Sequence, residues 1–346
     1  MTDPTVRVRD LDETALLARI FPLLPSGEAV DVGPGDDAAV VRAPDGRVVV
    51  STDVLVEGRH FRRSWSTGFD VGRRAAAQNL ADIAAMGART TSLVVSLVVP
   101  QDLPVDWVTG LARGLADVAD PAGAPVVGGD LSGGDEIVVA VTVTGDLEGR
   151  EPVLRTGARP GDVVAHTGVL GRSAAGLALL ASGAASAEHR APGAPGPLAP
   201  FVAAYLRPDP PLADGPAAAA AGADAMLDVS DGLLRDAGRI ARASGVTIDL
   251  SGHRLSRDVS ALVPAALEVA IAAEDVDGWQ QAHRWVLSGG EDHGLLATFP
   301  ADVADRGLPA GFRPIGEVVT VGAAGPRVLV DGEEPDVPPG WDHFRE

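Results

Sequence analysis

The chain has 346 residues, 46% of them hydrophobic and 22% charged, enough to bury a core in each of two domains and too apolar for wholesale disorder. Its 48 acidic and 28 basic residues leave a net charge of -20, a field that repels nucleic-acid backbones and anionic membranes, so neither is an expected partner. Cysteine is absent, which removes disulfides, thiolate metal sites and cysteine nucleophiles, and lysine is absent, which removes a phosphate loop of the Gly-Lys-Ser/Thr type. Any phosphate must then be held by arginine, backbone N–H groups or metal ions. No apolar run reaches transmembrane length, and Met1 to Asp12 is too polar for a signal peptide, so the expected compartment is the cytoplasm. The acidity also serves solubility, whatever else it does.

In chain order, residues 12–20 read as a short amphipathic helix. The β-like runs 38–42 and 47–52 follow, joined by the turn Pro44-Asp45-Gly46. Residues 70–87 read as a helix ending near Gly87, Thr90 to Val99 as a strand, and 104–119 as a helix. Strands at 125–127 and 137–144 complete an α+β sheet domain with helices on one face. The stretch 148–161 reads as a boundary, giving expected domains 1–150 and 151–346. The second opens with a strand at 162–165 and a helix from Arg172. A flexible Ala/Gly/Pro-rich loop at 182–200 follows, then a buried strand at 225–229 and a helix at 232–243. Short helices and strands fill the remainder, including strands at 293–299 and 327–330.

Acidic segments, most of them flanked by glycine, recur along this order: Gly35-Asp36-Asp37, Ser51-Thr52-Asp53, Asn79 to Asp82, Gly128-Gly129-Asp130, Asp228 to Gly232 and Ser288 to Asp292. Asp53, Asp130 and Asp228 each follow an apolar β-like run and are expected where a strand gives way to a loop. Asn79 and Asp82, three apart on a helix, share a face. Magnesium takes oxygen ligands, often one or two carboxylates plus waters and phosphates, and clustered carboxylates repel one another unless cations sit among them. Taken singly, each segment is ordinary turn chemistry. Asp82 also reads as a satisfied helix acid, and Asp231 as the N-cap of the helix behind it. Arg155 reads as a phosphate contact or an exposed boundary arginine. His60 reads as an anion contact or a buried structural histidine. Trp341 reads as a stacking ring or as packing for the tail.

The ordered strings resemble the thiamine-monophosphate kinase family, in the superfamily of aminoimidazole ribonucleotide synthetase and selenophosphate synthetase. They are 35–39, 51–61, 79–88, 128–130, 155–162, 228–233, 287–292 and the terminal Gly340-Trp341-Asp342-His343-Phe344. The resemblance spans essentially the whole chain. It implies an α+β N-terminal sheet domain that pairs with its twin in a homodimer, and a C-terminal α/β domain closing over ATP. It implies transfer of the ATP γ-phosphate to thiamine monophosphate by an enzyme using several Mg²⁺ ions. Carried over by motif, Asp37, Ser51, Thr52, Asp53, Asp82, Asp130, Asp228 and Asp231 are metal ligands. Gly129, Asp130, Arg155 and Ser230 contact ATP. His60, Glu291 and Trp341 contact the thiamine phosphate. Asp53, Asp130 and Asp228 are the acids expected to carry the transfer. Many members read Tyr-Glu where this chain has His293-Gly294, and serine where it has Ala81. Two alternatives stay open: a superfamily member with another substrate, and a catalytically silent Mg-nucleotide-binding regulatory protein. A selenophosphate synthetase is disfavoured by the missing cysteine or selenocysteine.

Overall fold

The computed structural model describes residues 6–33, 38–190, 196–273, 277–309 and 311–341. The chain divides into two compact units, one of residues 1–83 and 88–149, the other of residues 84–87 and 150–346.

In the first unit α1 (Glu13–Ile20) starts at Asp12, whose carboxylate accepts the Ala15 N–H at 2.7 Å. Two short strands, β1 (Val30–Val32) and β2 (Val40–Val41), pair antiparallel. Then come β3 (Val49–Val56), α2 (Gly68–Ala85), β4 (Arg89–Val99), α3 (Val105–Ala119), β5 (Val126–Gly133) and β6 (Val138–Asp146). The strands form a four-stranded sheet in the order β3-β6-β4-β5, antiparallel except for β4 with β5. One sheet face is dry, with Val139, Val141 and Val143 fully buried. The opposite face leaves Val50, Val54 and Val94 exposed. Helices α2 and α3 touch backbone to backbone: a Cβ on Gly72 would lie 2.1 Å from the Leu111 carbonyl, and one on Gly114 2.1 Å from that of Phe69.

The second unit runs β7 (Val163–Thr167), α4 (Arg172–Ser182), α5 (Ala199–Leu206), α6 (Asp214–Ala221), β8 (Ala225–Val229) and α7 (Leu233–Ser244). It continues with β9 (Thr247–Leu250), α8 (Gly252–Ala273), α9 (Gly278–Ser288), β10 (Gly294–Phe299), α10 (Ala301–Arg306), β11 (Arg313–Val319) and β12 (Arg327–Val330). Its six strands lie in the order β12-β9-β11-β7-β10-β8, all antiparallel except β12 with β9. Every residue of β8 and β10 is buried, Asp228 and Thr298 among them. The chain is thus a mixed α/β protein. No helix among the described residues is long and apolar enough to cross a membrane.

The turn expected between residues 38–42 and 47–52 forms, with Gly46 N–H on the Ala43 carbonyl, and the strands it joins take different partners, β2 pairing with β1 and β3 with β6. The buried Val141 row recruits β3 more strongly than a two-residue neighbour could. The stretch 182–200 is not loop throughout, since a 3-10 turn at Ala187–Arg190 interrupts it. The late helices are not all short: α8 runs 22 residues and carries Pro264 in its interior.

Candidate active site

In the first unit, β3 alternates between its two faces and so sorts the Ser51-Thr52-Asp53 string. Ser51 turns toward α2 and donates its hydroxyl to Asp82 at 2.6 Å. Thr52 turns the other way and bonds the Val141 carbonyl at 2.9 Å, beside Thr142. Asp53 is half-buried on the Ser51 face. Being on an edge strand, Asp53 has a backbone N–H that the ladder leaves over; Asn79 accepts it at 3.1 Å. Asn79 is itself fully buried and anchored to the Ala75 carbonyl at 2.8 Å. Asn79 and Asp82 therefore both work against β3, and Asp82 does not stand idle as a helix acid.

Asp130 sits elsewhere. Asp53 is in register with Val141, Val95 and Gly129, while Asp130 shares the next row with Ser96, Ala140 and Val54. Neighbouring rows point to opposite faces. Asp130 thus lies on the sheet face opposite Asp53 and at the opposite edge, where Ser132 donates to it at 2.9 Å. Neither acid is at a strand end: β3 and β5 each run three residues further, a correction to the expected strand-to-loop placement. Gly129 is required by packing as well, since a Cβ there would come within 2.0 Å of the Val95 carbonyl. Beside it opens an apolar cavity of about 820 Å³, lined by Val95, Leu97, Val108, Leu111, Gly129 and Asp130 among others.

His60 follows β3 in a turn where its Nδ1 accepts the Val56 N–H at 3.0 Å, which puts the proton of the neutral ring on Nε2. It holds its own turn and is half-buried. Asp37 lies outside the described residues. No three acidic or histidine side chains among the described residues converge closely enough to form a metal cluster. A single cage drawn from one copy of these acids is therefore absent from the described part of the unit. The donors of the Ser51–Asp53–Asp82 group are all oxygen, the ligand type a hard cation takes.

In the second unit three of the sequence strings are laced together through their backbones. Glu291 N–H bonds the Ser230 carbonyl at 2.8 Å, His293 N–H that of Val229 at 3.1 Å, and Trp341 N–H that of Asp231 at 2.8 Å. Glycines make the approach possible: a Cβ on Gly290 would lie 2.4 Å from the Ser230 carbonyl, and one on Gly340 2.1 Å from that of Asp231. Asp228, near the end of β8, is almost buried and meets His293 Nδ1 at 3.2 Å. Asp231 is not the N-cap of α7; Gly232 holds that position. The Asp231 carboxylate instead pairs with Arg239, which also bonds Asp236. Asp236 returns the contact by accepting the Asp231 N–H at 2.9 Å. Burial pushes the Asp236 carboxyl up to about 7, with Arg239 opposing the shift. Arg239 and Asp236 belong to none of the acidic motifs, although their spacing of three on one helix is the signature of such a pair. The Arg155 side chain is exposed; its carbonyl accepts the Ser244 hydroxyl at 3.1 Å, and Ser244 takes the Ala158 N–H at 3.2 Å.

Residues 35–147 match the family of AIR synthase related proteins, N-terminal domain, and residues 159–307 match the corresponding C-terminal domain family. The thiamine-monophosphate kinase of Mycobacterium tuberculosis is 48% identical over 339 residues, covering 98% of this chain and 93% of that protein. The chain belongs to the thiamine-monophosphate kinase family. It is an enzyme of that family and shares its fold. The crystal structure of the Stenotrophomonas maltophilia K279a kinase superposes with a TM-score of 0.74 at 30% identity, covering 92% of this chain and 95% of that one. The structure of AaThiL complexed with AMPPCP and TMP gives 0.71 at 31% identity, covering 99% of this chain and 100% of that one.

Within the family frame, the His293-Gly294 departure has a structural reason. A Cβ on Gly294 would lie 2.5 Å from Nε2 of His166, which is fully buried in β7. The histidine ring fills the space that a side chain at 294 needs. His293 in turn supplies the contact to Asp228.

Proposed function

We propose that the chain transfers the γ-phosphate of ATP directly, in line, onto thiamine monophosphate, giving thiamine diphosphate. The observation that carries this reading is the likeness to AaThiL complexed with AMPPCP and TMP, which runs over 99% of the chain. In this reading residues 1–150 hold metal and substrate and form the dimer, and residues 151–346 cover the nucleotide. Gly129 and Asp130, on the rim of the apolar cavity, contact ATP, and Arg155 and Ser230 complete the ATP contacts. His60, Glu291 and Trp341 bind the thiamine phosphate.

Asp53, Asp82, Asp228 and Asp231, with Asp37, Asp130, Ser51 and Thr52, are the oxygen donors for magnesium. Bound magnesium supplies positive charge that offsets the phosphates. Asn79 fixes the backbone of Asp53, and the Ser51 hydroxyl orients Asp82, so these donors are preset rather than recruited. Arg239 holds Asp231 between charged partners until a cation competes for it. The attacking group is a phosphate oxygen, already anionic, so no side chain has to take a proton from it.

Homodimerisation enters for a geometric reason. Asp53 and Asp130 are three strand spacings apart, about 14 Å, whereas magnesium–oxygen bonds are about 2.1 Å. One cation cannot reach both within one chain. A second copy set against the β3 edge, where Asp53 lies, brings Asp130 of the partner subunit to the Asp53 site.

Phosphorus NMR of the protein with ATP, Mg²⁺ and thiamine monophosphate is expected to show ADP and thiamine diphosphate. Asp53→Asn and Asp130→Asn are each expected to cut turnover by about 100-fold or more with the fold retained. ATP binding with no product from the unmodified protein would favour the silent regulatory reading. Product from a different acceptor would favour another superfamily activity.

A further inference from the structure

Helix α4 begins without a local cap. Its N-cap residue is Gly171, at φ +76°, and has no side chain to accept the N–H groups of the first turn. The acceptor comes from a residue 119 positions away. Asp292 Oδ1 accepts the Ser173 N–H at 2.8 Å. Both ends of the contact are buried, Asp292 at 5% exposure and Ser173 at 1%. A carboxylate at this position also meets the positive end of the helix.

The residues on either side of Asp292 are held in a conformation that side chains rarely adopt: Glu291 has φ +71° and His293 φ +53°. Their N–H groups are tied to the Ser230 and Val229 carbonyls at the end of β8. The tripeptide is therefore clamped on one side by β8 and on the other by α4. Gly289 packs close on the same helix, where a Cβ would lie 2.7 Å from that of Ala174. The α4 contact adds to the two β8 bonds a hold from the other side on the backbone that aims Glu291.

We infer that Asp292 is a positioning residue: by capping α4 it fixes the left-handed backbone from which Glu291 reaches the thiamine phosphate. This rests on the reading of Glu291 as a substrate contact. Neither the motif match nor the helix itself assigns Asp292 a task; the buried Ser173 N–H contact and the paired positive φ angles do.

The test compares Asp292→Ala, Asp292→Asn and Glu291→Gln in the full-length enzyme. It measures KM for thiamine monophosphate, KM for ATP, kcat and the unfolding midpoint. Asp292→Ala is expected to raise KM for thiamine monophosphate by about ten-fold while KM for ATP stays within about two-fold. Asp292→Asn keeps an oxygen acceptor at the same place and is expected to recover most of that loss. If Asp292→Ala lowers the unfolding midpoint but leaves KM for thiamine monophosphate at the parent value, the residue is only a structural cap and the inference fails. A lack of rescue by asparagine overturns it as well. Should the alanine variant not fold, Ser173→Pro removes the donor N–H in the first helical turn, where proline is tolerated, and is judged by the same KM criterion. Glu291→Gln separates the two readings. An unchanged KM there overturns the substrate role of Glu291, whereas a raised KM there with a normal Asp292→Ala overturns the positioning role alone.

Discussion

His166 stands in β7 with no exposed surface, and neither ring nitrogen has a hydrogen-bond partner among the described residues. Burial, with Arg313 adding to it, lowers its pKa from 6.5 to about 3. The ring therefore stays neutral in the folded protein while the unfolded chain takes up a proton below about 6.5, so stability is lost as pH falls from about 6.5 toward 3. Asp292 and Asp236 act with the opposite sign. Burial raises both from 3.8 to about 7, so their contribution is largest below 3.8 and is lost as pH rises toward 7. The His166→Leu variant removes the one group of the three that penalises acid. Its stability relative to the parent is expected to grow by about 1.4 kcal/mol per pH unit below pH 6.5. Urea unfolding of both proteins at several pH values, with a chelator present, checks this. Parallel pH curves for the two proteins would show that His166 is not the buried neutral ring described. His166 left no trace in the sequence, because a histidine within an apolar run looks the same whether it is buried bare or satisfied. Asp82 was more legible: its helical spacing from Asn79 placed both on one face, though only the fold showed that the face meets Ser51.

At the scale of elements, glycine decides more than the acids it flanks. The Gly128-Gly129-Asp130 string looks like a loop because glycine is a poor strand former. In the structure it is the centre of β5, paired with β4 through Gly133. The backbones approach so closely there that Gly129→Ala places a methyl 2.0 Å from the Val95 carbonyl. That substitution is expected to destabilise the first unit by roughly 2–4 kcal/mol, seen in chemical unfolding, and not merely to weaken nucleotide binding. Unchanged stability with a raised KM for ATP would instead make Gly129 a ligand contact alone. The same weak propensity hid the true length of β5, and β1 was hidden by its shortness and by Asp31. Strands β8 and β12 were legible to the residue, since an apolar run bounded by turns has few other solutions. Helix α8 was not, because Pro264 reads as a stop.

At the scale of the whole molecule, the proposed shared site makes a prediction that no single chain satisfies. Asp53→Asn and Asp130→Asn are each expected to be inactive when purified alone. Mixed and allowed to exchange subunits, they form hybrids in which one of two sites keeps both acids, and about a quarter of the parent activity is expected to return. No recovery, with exchange demonstrated by a mass tag, would place both acids in the same chain's site and remove the geometric reason for the dimer.

Composition and motif order determined the class of chemistry by themselves. A chain without lysine or cysteine and with a net charge of -20 has few ways to hold phosphate other than arginine, backbone N–H groups and cations, and its ordered strings pointed to one family. What only the tertiary structure decided is which acids stand together. Side-chain direction in a strand flips with every residue, and strand order is set by long-range pairing that motif spacing does not encode. Hence Ser51 and Asp82 meet while Thr52 and Asp130 face away, Asp231 answers to Arg239, and a helix start 119 residues distant holds Asp292.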